Sequence, residues 1–143
     1  RAEMAVFLLR ATHGSSYSAP APAGLFSDVA TNYWAAAWIE QLAAEGITLG
    51  CASGVYCPEI EVTRAEMAVF LLRAIHGSAY APPAAVGVFS DVPLNYWAAS
   101  WIEQLATEGV TLGCAAGVFC PDALVTRAEM AVFLVRAFGI LTP

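Results

Sequence analysis

The chain contains no lysine. Its six basic residues are all arginine, and charged residues fill only 13% of its 143 positions. An average globular protein carries about 25%. Twelve acidic residues bring the net charge to −6. That balance excludes nucleic acid as an expected partner, because a phosphate backbone demands a basic surface. Long apolar segments are missing as well. The longest uncharged runs, Ala11 to Ser27 and Ala74 to Ser90, each hold a histidine, two glycines and two prolines. A membrane-spanning helix needs about 20 mostly apolar residues, so the mean hydropathy of +0.63 does not signal a transmembrane segment. Enzyme hallmarks are lacking too: there is no Gly-x-Ser-x-Gly elbow, no Gly-rich phosphate loop and no acidic cluster with metal-ligand spacing. No catalysis, metal or cofactor is expected. A hydrophobic content of 59% excludes disorder. What remains is a water-exposed protein whose surface is unusually uncharged, or is covered by something else.

The sequence repeats itself. Arg1, Arg64 and Arg127 each open the phrase Arg-Ala-Glu-Met-Ala-Val-Phe-Leu. Phe26 matches Phe89, Trp34 matches Trp97, and Cys51 and Cys57 match Cys114 and Cys120. The period is about 63 residues without insertion, and the overlapped copies are about 70% identical. The expected organisation is an incomplete copy over residues 1–17, a full repeat over 18–80 and a second over 81–143.

One period reads as four pieces. Asn32 to Glu45 predicts a helix capped by Asn32, with Trp34, Trp38 and Leu42 at four-residue steps and Gly46 just past its end. Ile47-Thr48-Leu49 and Val55-Tyr56 flank a Gly-containing loop, predicting a very short hairpin. Thr63 to Ala74 predicts a second helix, in which Thr63 and Glu66, like Thr126 and Glu129 in the next copy, have the spacing of a capping box. No polar residue occurs from Met67 to Leu72, so this helix should be buried around most of its circumference. Gly77 to Ala85 is a stiff Pro/Ala connector. The expected fold is therefore mainly α, an array of helix–short hairpin–helix repeats.

Four cysteines form two Cys-x5-Cys-Pro units, Cys51/Cys57 and Cys114/Cys120. A hairpin brings each pair together, as a disulfide requires. Zinc is the competing reading, but it wants four ligands, and both histidines fall at a helix end away from these loops. Disulfides imply an oxidising, secreted or cell-surface setting. No signal peptide is present and the chain opens in mid-phrase, as expected of a processed or truncated product.

The ordered phrases Phe26-Ser27-Asp28-Val29, Trp34-Ala35, Gly46-Ile47-Thr48-Leu49-Gly50 and Val62-Thr63-Arg64-Ala65-Glu66, and their second copies from Phe89 to Glu129, resemble the S-layer homology repeat of bacterial cell-surface proteins. The resemblance covers essentially the whole chain. It implies a pseudo-threefold helical unit that holds a larger protein onto the cell envelope by binding secondary cell-wall polymers, often through a pyruvylated sugar. It also implies that Arg64, Arg127 and Arg1, with Glu66 and Glu129, lie in the glycan-binding grooves. The cysteine pair is not a general feature of that family.

Each candidate also has a plain structural reading. A cation near a helix N-terminus opposes the macrodipole, so Arg64 should be paired with a carboxylate such as Asp28 or Glu66, or be kept for an anionic ligand. Trp34 and Trp97 could stack on sugars, but their spacing with Trp38 and Trp101 favours a core stripe. Glu40, Glu45, Glu59 and Glu61 read as solvated carboxylates. The expected order of half-repeats leaves Ala2 to Leu9 short of a partner helix, which another copy could supply. Two functions follow: a self-associating building block of a surface layer, sheath or filament, and a monomeric wall anchor binding an acidic glycan. The ending Phe138 to Pro143 replaces the connector with apolar residues and is expected to be a true C-terminus.

Overall fold

The computed structural model describes residues 1–140, so Leu141, Thr142 and Pro143 of that ending lie outside the described residues. The described residues form five helices: α1 (Ala2–His13), α2 (Ala36–Ala44), α3 (Arg64–His76), α4 (Ala99–Thr107) and α5 (Arg127–Phe138). Among the described residues, strand-like pairing is confined to isolated bridges, two of them Ala52–Val55 and Ala115–Val118. The expected hairpins shrink to these tight turns, because Cys51 N–H already bonds the Val55 carbonyl at 2.9 Å. The architecture is mainly α.

Two compact units result, Arg1–Glu61 and another starting at Val62. Each begins with the second helix of one sequence repeat and closes around the first half of the next. In the first unit α1 packs on α2; in the second α3 packs on α4, with α5 added against α3. Ala2, Met4, Ala5, Leu8 and Leu9 are buried, so the expectation that this helix lacks a partner is corrected: α2 covers it. Full burial of one such leucine is worth roughly 1.5–3 kcal/mol. In α3 every residue from Met67 to Leu72 is buried.

The first helix of each repeat is shorter than its periodicity suggests. α2 starts at Ala36, and its N-cap is Ala35 with no side-chain cap. Tyr33 N–H bonds the Ala30 carbonyl at 2.8 Å and Ala36 N–H bonds that of Tyr33 at 3.0 Å. Those turns take Asn32 and Trp34 off the helix. Asn32 is therefore no cap, and Trp34 leaves the stripe it was expected to share with Trp38. The other end behaves as read: Gly46 has φ 69°, and Gly46 and Ile47 N–H close onto the Ala43 and Leu42 carbonyls at 2.9 and 3.1 Å. Only glycine enters that left-handed position without steric cost.

The connector is pinned at both ends. His13 bonds Glu45 at 2.8 Å and stacks on Tyr17 at 4.5 Å, and Tyr17 meets Trp38 edge-on at 5.9 Å. Downstream, the Glu40 carboxylate accepts the Ala23, Gly24 and Leu25 N–H groups at 2.6, 2.8 and 2.9 Å. The second copy repeats this, with His76, Tyr80 and Glu108 and with Glu103 accepting from Val86, Gly87 and Val88. Glu40 is thus no solvated carboxylate. Burial by itself would raise its pKa, but the three N–H groups together outweigh that and hold it below its ordinary value, as they do for Glu103.

Candidate functional site

Two disulfides, Cys51–Cys57 and Cys114–Cys120, close the loops. Asp91 of the Phe-Ser-Asp-Val phrase accepts the Phe119 and Cys120 N–H groups at 2.8 and 2.6 Å. Asp28 does the same for Tyr56 and Cys57 at 2.8 and 2.7 Å. Burial opposes ionisation of Asp28, yet these backbone donors prevail and lower its pKa. Cys57 and Cys120 sit at φ 60° and 59°, a conformation L-residues rarely adopt unless held. Each loop then presents a fully buried aromatic ring, Tyr56 or Phe119, to an arginine at a helix start.

In the second unit that arginine is Arg64. Its guanidinium lies 5.0 Å from the Phe119 ring centre and 5.4 Å from that of Phe133. Its Nε donates to the Phe119 carbonyl at 2.9 Å, and its Nη1 to Glu129 Oε1 at 2.7 Å. Nη2 is buried without a hydrogen-bond partner. The sequence offered Asp28 or Glu66 as its carboxylate, yet neither is the one that Nη1 meets. Glu129 is, one repeat further along. Its pKa is lowered first by the Thr126 backbone N–H, against desolvation, and further by the Thr126 hydroxyl and the Arg64 charge. Thr63 with Glu66 and Thr126 with Glu129 form complete capping boxes.

An open groove of about 370 Å³ runs along this pair, lined by Arg64, Thr111, Leu112, Gly113, Ala128, Glu129, Val132, Phe133 and Arg136. It offers two cations, one carboxylate and an apolar wall. In the first unit Arg1 is also buried, 5.6 Å from the Tyr56 ring centre with Nη2 3.4 Å from the Gly50 carbonyl. Arg127 is exposed. Trp34 and Trp97 are 60% and 61% exposed, which corrects the core reading; each leans against its preceding tyrosine, Tyr33 or Tyr96. Neither tryptophan lines the groove. Arg136 and the Thr111-Leu112-Gly113 edge line this groove, though the sequence had not singled them out as candidates. The repetition of the Gly-x-Thr-Leu-Gly phrase was the available signal. Among the described residues no group of three or more His, Cys, Asp or Glu side chains could hold a metal ion, and no helix is long and apolar enough to cross a membrane.

The family model of the S-layer homology domain matches residues 25–68 and 88–131. An amylopullulanase of Thermoanaerobacterium thermosulfurigenes is 35% identical over 134 residues, which is 92% of this chain and 7% of that protein. Cell surface glycoprotein 1 of Acetivibrio thermocellus is 28% identical over 144 residues, or 96% of this chain and 6% of its own length. A cellulosome-anchoring protein of the same species is 26% identical over 140 residues, 96% of this chain and 31% of that protein. The chain thus spans a small part of each relative.

Proposed function

Since the chain belongs to the S-layer homology domain family, we propose that it is a non-catalytic cell-surface module that anchors to acidic cell-wall polysaccharide through the groove around Arg64. The observation that supports this most is the state of Arg64. It is 4% exposed, lines the groove, and keeps one fork nitrogen without a partner. A carboxylate-bearing sugar, such as a pyruvylated one, would compete with Glu129 for a guanidinium already fixed in place. Arg136 adds a second cation, and Leu112, Val132 and Phe133 give a sugar ring an apolar bed. Arg1 and Arg127, with Glu66, are the matching groups in the other copies, and the exposed Trp34 and Trp97 are suited to stacking on sugars further along a polymer.

Co-sedimentation with purified wall polysaccharide tests the proposal. Arg136→Gln should weaken retention about tenfold, the worth of one charge-assisted hydrogen bond, and stripping acidic substituents from the polymer should do at least as much. A folded Arg64→Lys, Arg136→Gln double variant that binds like the parent would overturn it.

Self-association into a surface layer, sheath or filament is a second reading. Its support is apolar exposure repeated in both copies: Leu49 and Leu112 are each 76% exposed, beside the two open tryptophans. Ordered polymers formed by the purified chain without wall material would favour it.

A further inference from the structure

Each disulfide stands between two residues that face the same arginine. In the second unit Gly113, the residue before Cys114, forms the groove's edge with Thr111 and Leu112. Phe119, the residue before Cys120, holds Arg64: its carbonyl accepts the Nε–H at 2.9 Å and its ring lies against the guanidinium. The chain just past Cys120 holds the start of the same helix. There the Ala123 and Pro121 carbonyls accept the Arg64 and Ala65 N–H groups at 2.9 Å each. In the first unit the pattern recurs on Arg1. Gly50, before Cys51, offers its carbonyl to Arg1 Nη2 at 3.4 Å. Tyr56, before Cys57, turns its ring to the guanidinium and donates its hydroxyl to the Arg1 carbonyl. One covalent bond thus joins the two walls of each arginine's seat, at chain positions six residues apart.

The bridge also restrains the backbone at its second end. Cys120 holds φ 59°, a region that L-residues leave unless something keeps them there. The disulfide is one restraint, and Asp91, which accepts the Phe119 and Cys120 N–H groups, is another. Once the bridge opens, rotation of residue 120 toward ordinary φ shifts the Phe119 and Pro121 carbonyls that Arg64 and Ala65 use. Cys114 is exposed and Cys120 half-buried, so a dithiol can reach the bond. One thiolate of the dithiol attacks Cys114 Sγ and expels the Cys120 thiolate; the second then releases Cys114, and the reductant leaves as a disulfide. Two electrons and two protons pass to the cysteine pair. We infer that Cys114–Cys120 positions Arg64 for its anionic ligand and makes the groove redox-gated, competent when oxidised and slack once a dithiol has reduced it. This gating rests on the anchoring role proposed for the Arg64 groove.

The test uses the full chain carrying Cys51→Ser and Cys57→Ser, in which reduction opens the second bridge alone. Co-sedimentation with purified acidic wall polysaccharide is measured before and after dithiothreitol, with helicity followed by far-UV circular dichroism. Reduction should weaken retention about tenfold at unchanged helicity, and reoxidation should restore it. In an Arg64→Lys background the same reduction should cost less than about twofold, because the bridge acts through that arginine. Undiminished retention after reduction, or equal losses in the two backgrounds, would overturn the inference. Loss of helicity on reduction would do so as well, since the bridge would then brace the fold and not the groove. Should the oxidised chain not bind the polymer, the anchoring reading falls, and NMR decides the positioning role separately. Exchange of the Arg64 Nε–H with water should quicken at least about tenfold on reduction, and an unchanged rate would overturn that role.

Discussion

Arg64 joins a loop carbonyl, two aromatic rings and a carboxylate from the following repeat. Arg64→Ala removes that filling and leaves the Phe119 carbonyl without its donor, so stability should fall by about 2–4 kcal/mol in urea unfolding. The Glu129 side chain is 39% exposed, and loss of the ion pair should contribute little of this. Trp34 and Trp97 behave in the opposite way. Replacing either with alanine should shift stability by less than about 1 kcal/mol yet reduce retention on wall polymer, measured side by side on the same preparations. The conflict between a cation and a helix N-terminus marked Arg64 in the sequence. Its partner was not legible, because Glu129 stands one repeat away and is brought near only by the packing of α5 on α3. The tryptophans misled for a local reason: four-residue spacing implies a stripe only if the helix has begun, and the turns at Ala30–Tyr33 delay it.

At the scale of elements, carboxylates fasten the irregular segments to the helices. Glu40 and Glu103 have pKa values below their ordinary 4.5. Their contribution is therefore complete above that value and drains away as the pH falls through the lower folded-state values. Acid titration of the urea midpoint should show this loss below about pH 4.5, and Glu103→Gln should flatten the acid limb while lowering stability at neutral pH. Turn geometry is equally strict. Gly113 has φ 90°, and a Cβ there would collide with the Val118 carbonyl oxygen. Gly113→Ala should cost about 1–3 kcal/mol and loosen the loop that carries Phe119, read as faster amide exchange at Phe119 and Cys120. Helix type, capping boxes and glycine ends were all legible, since each depends on neighbours within a few residues. The Glu40 and Asp28 clamps were not, because nothing local distinguishes a carboxylate that receives distant N–H groups from one in water.

In the whole molecule the unit of packing is offset from the unit of sequence. A second helix and the first half of the next repeat fold together, so every disulfide loop supports the arginine of the preceding copy. Reducing Cys114–Cys120 should destabilise the second unit by roughly 2 kcal/mol in the chain-entropy model and should free Arg64, which a thiol-reduced sample would report as a changed Glu129 titration by NMR. The repeat itself was plain in the sequence; the offset was not, because periodicity carries no origin. The absence of lysine is now easier to place, since five of the six arginines are found at the start or last turn of α1, α3 and α5, with Arg1 at the cap. The pinned connector has one more consequence. His13 and Tyr17 fix one end and Glu40 the other, which leaves residues 18–22, and in the second copy 81–85, with no side chain or backbone bond holding their length. There the two copies read Ser-Ala-Pro-Ala-Pro and Ala-Pro-Pro-Ala-Ala. Those windows are where the array can accept inserted sequence, whether a tag, an epitope or a longer tether, without disturbing the register of either helix.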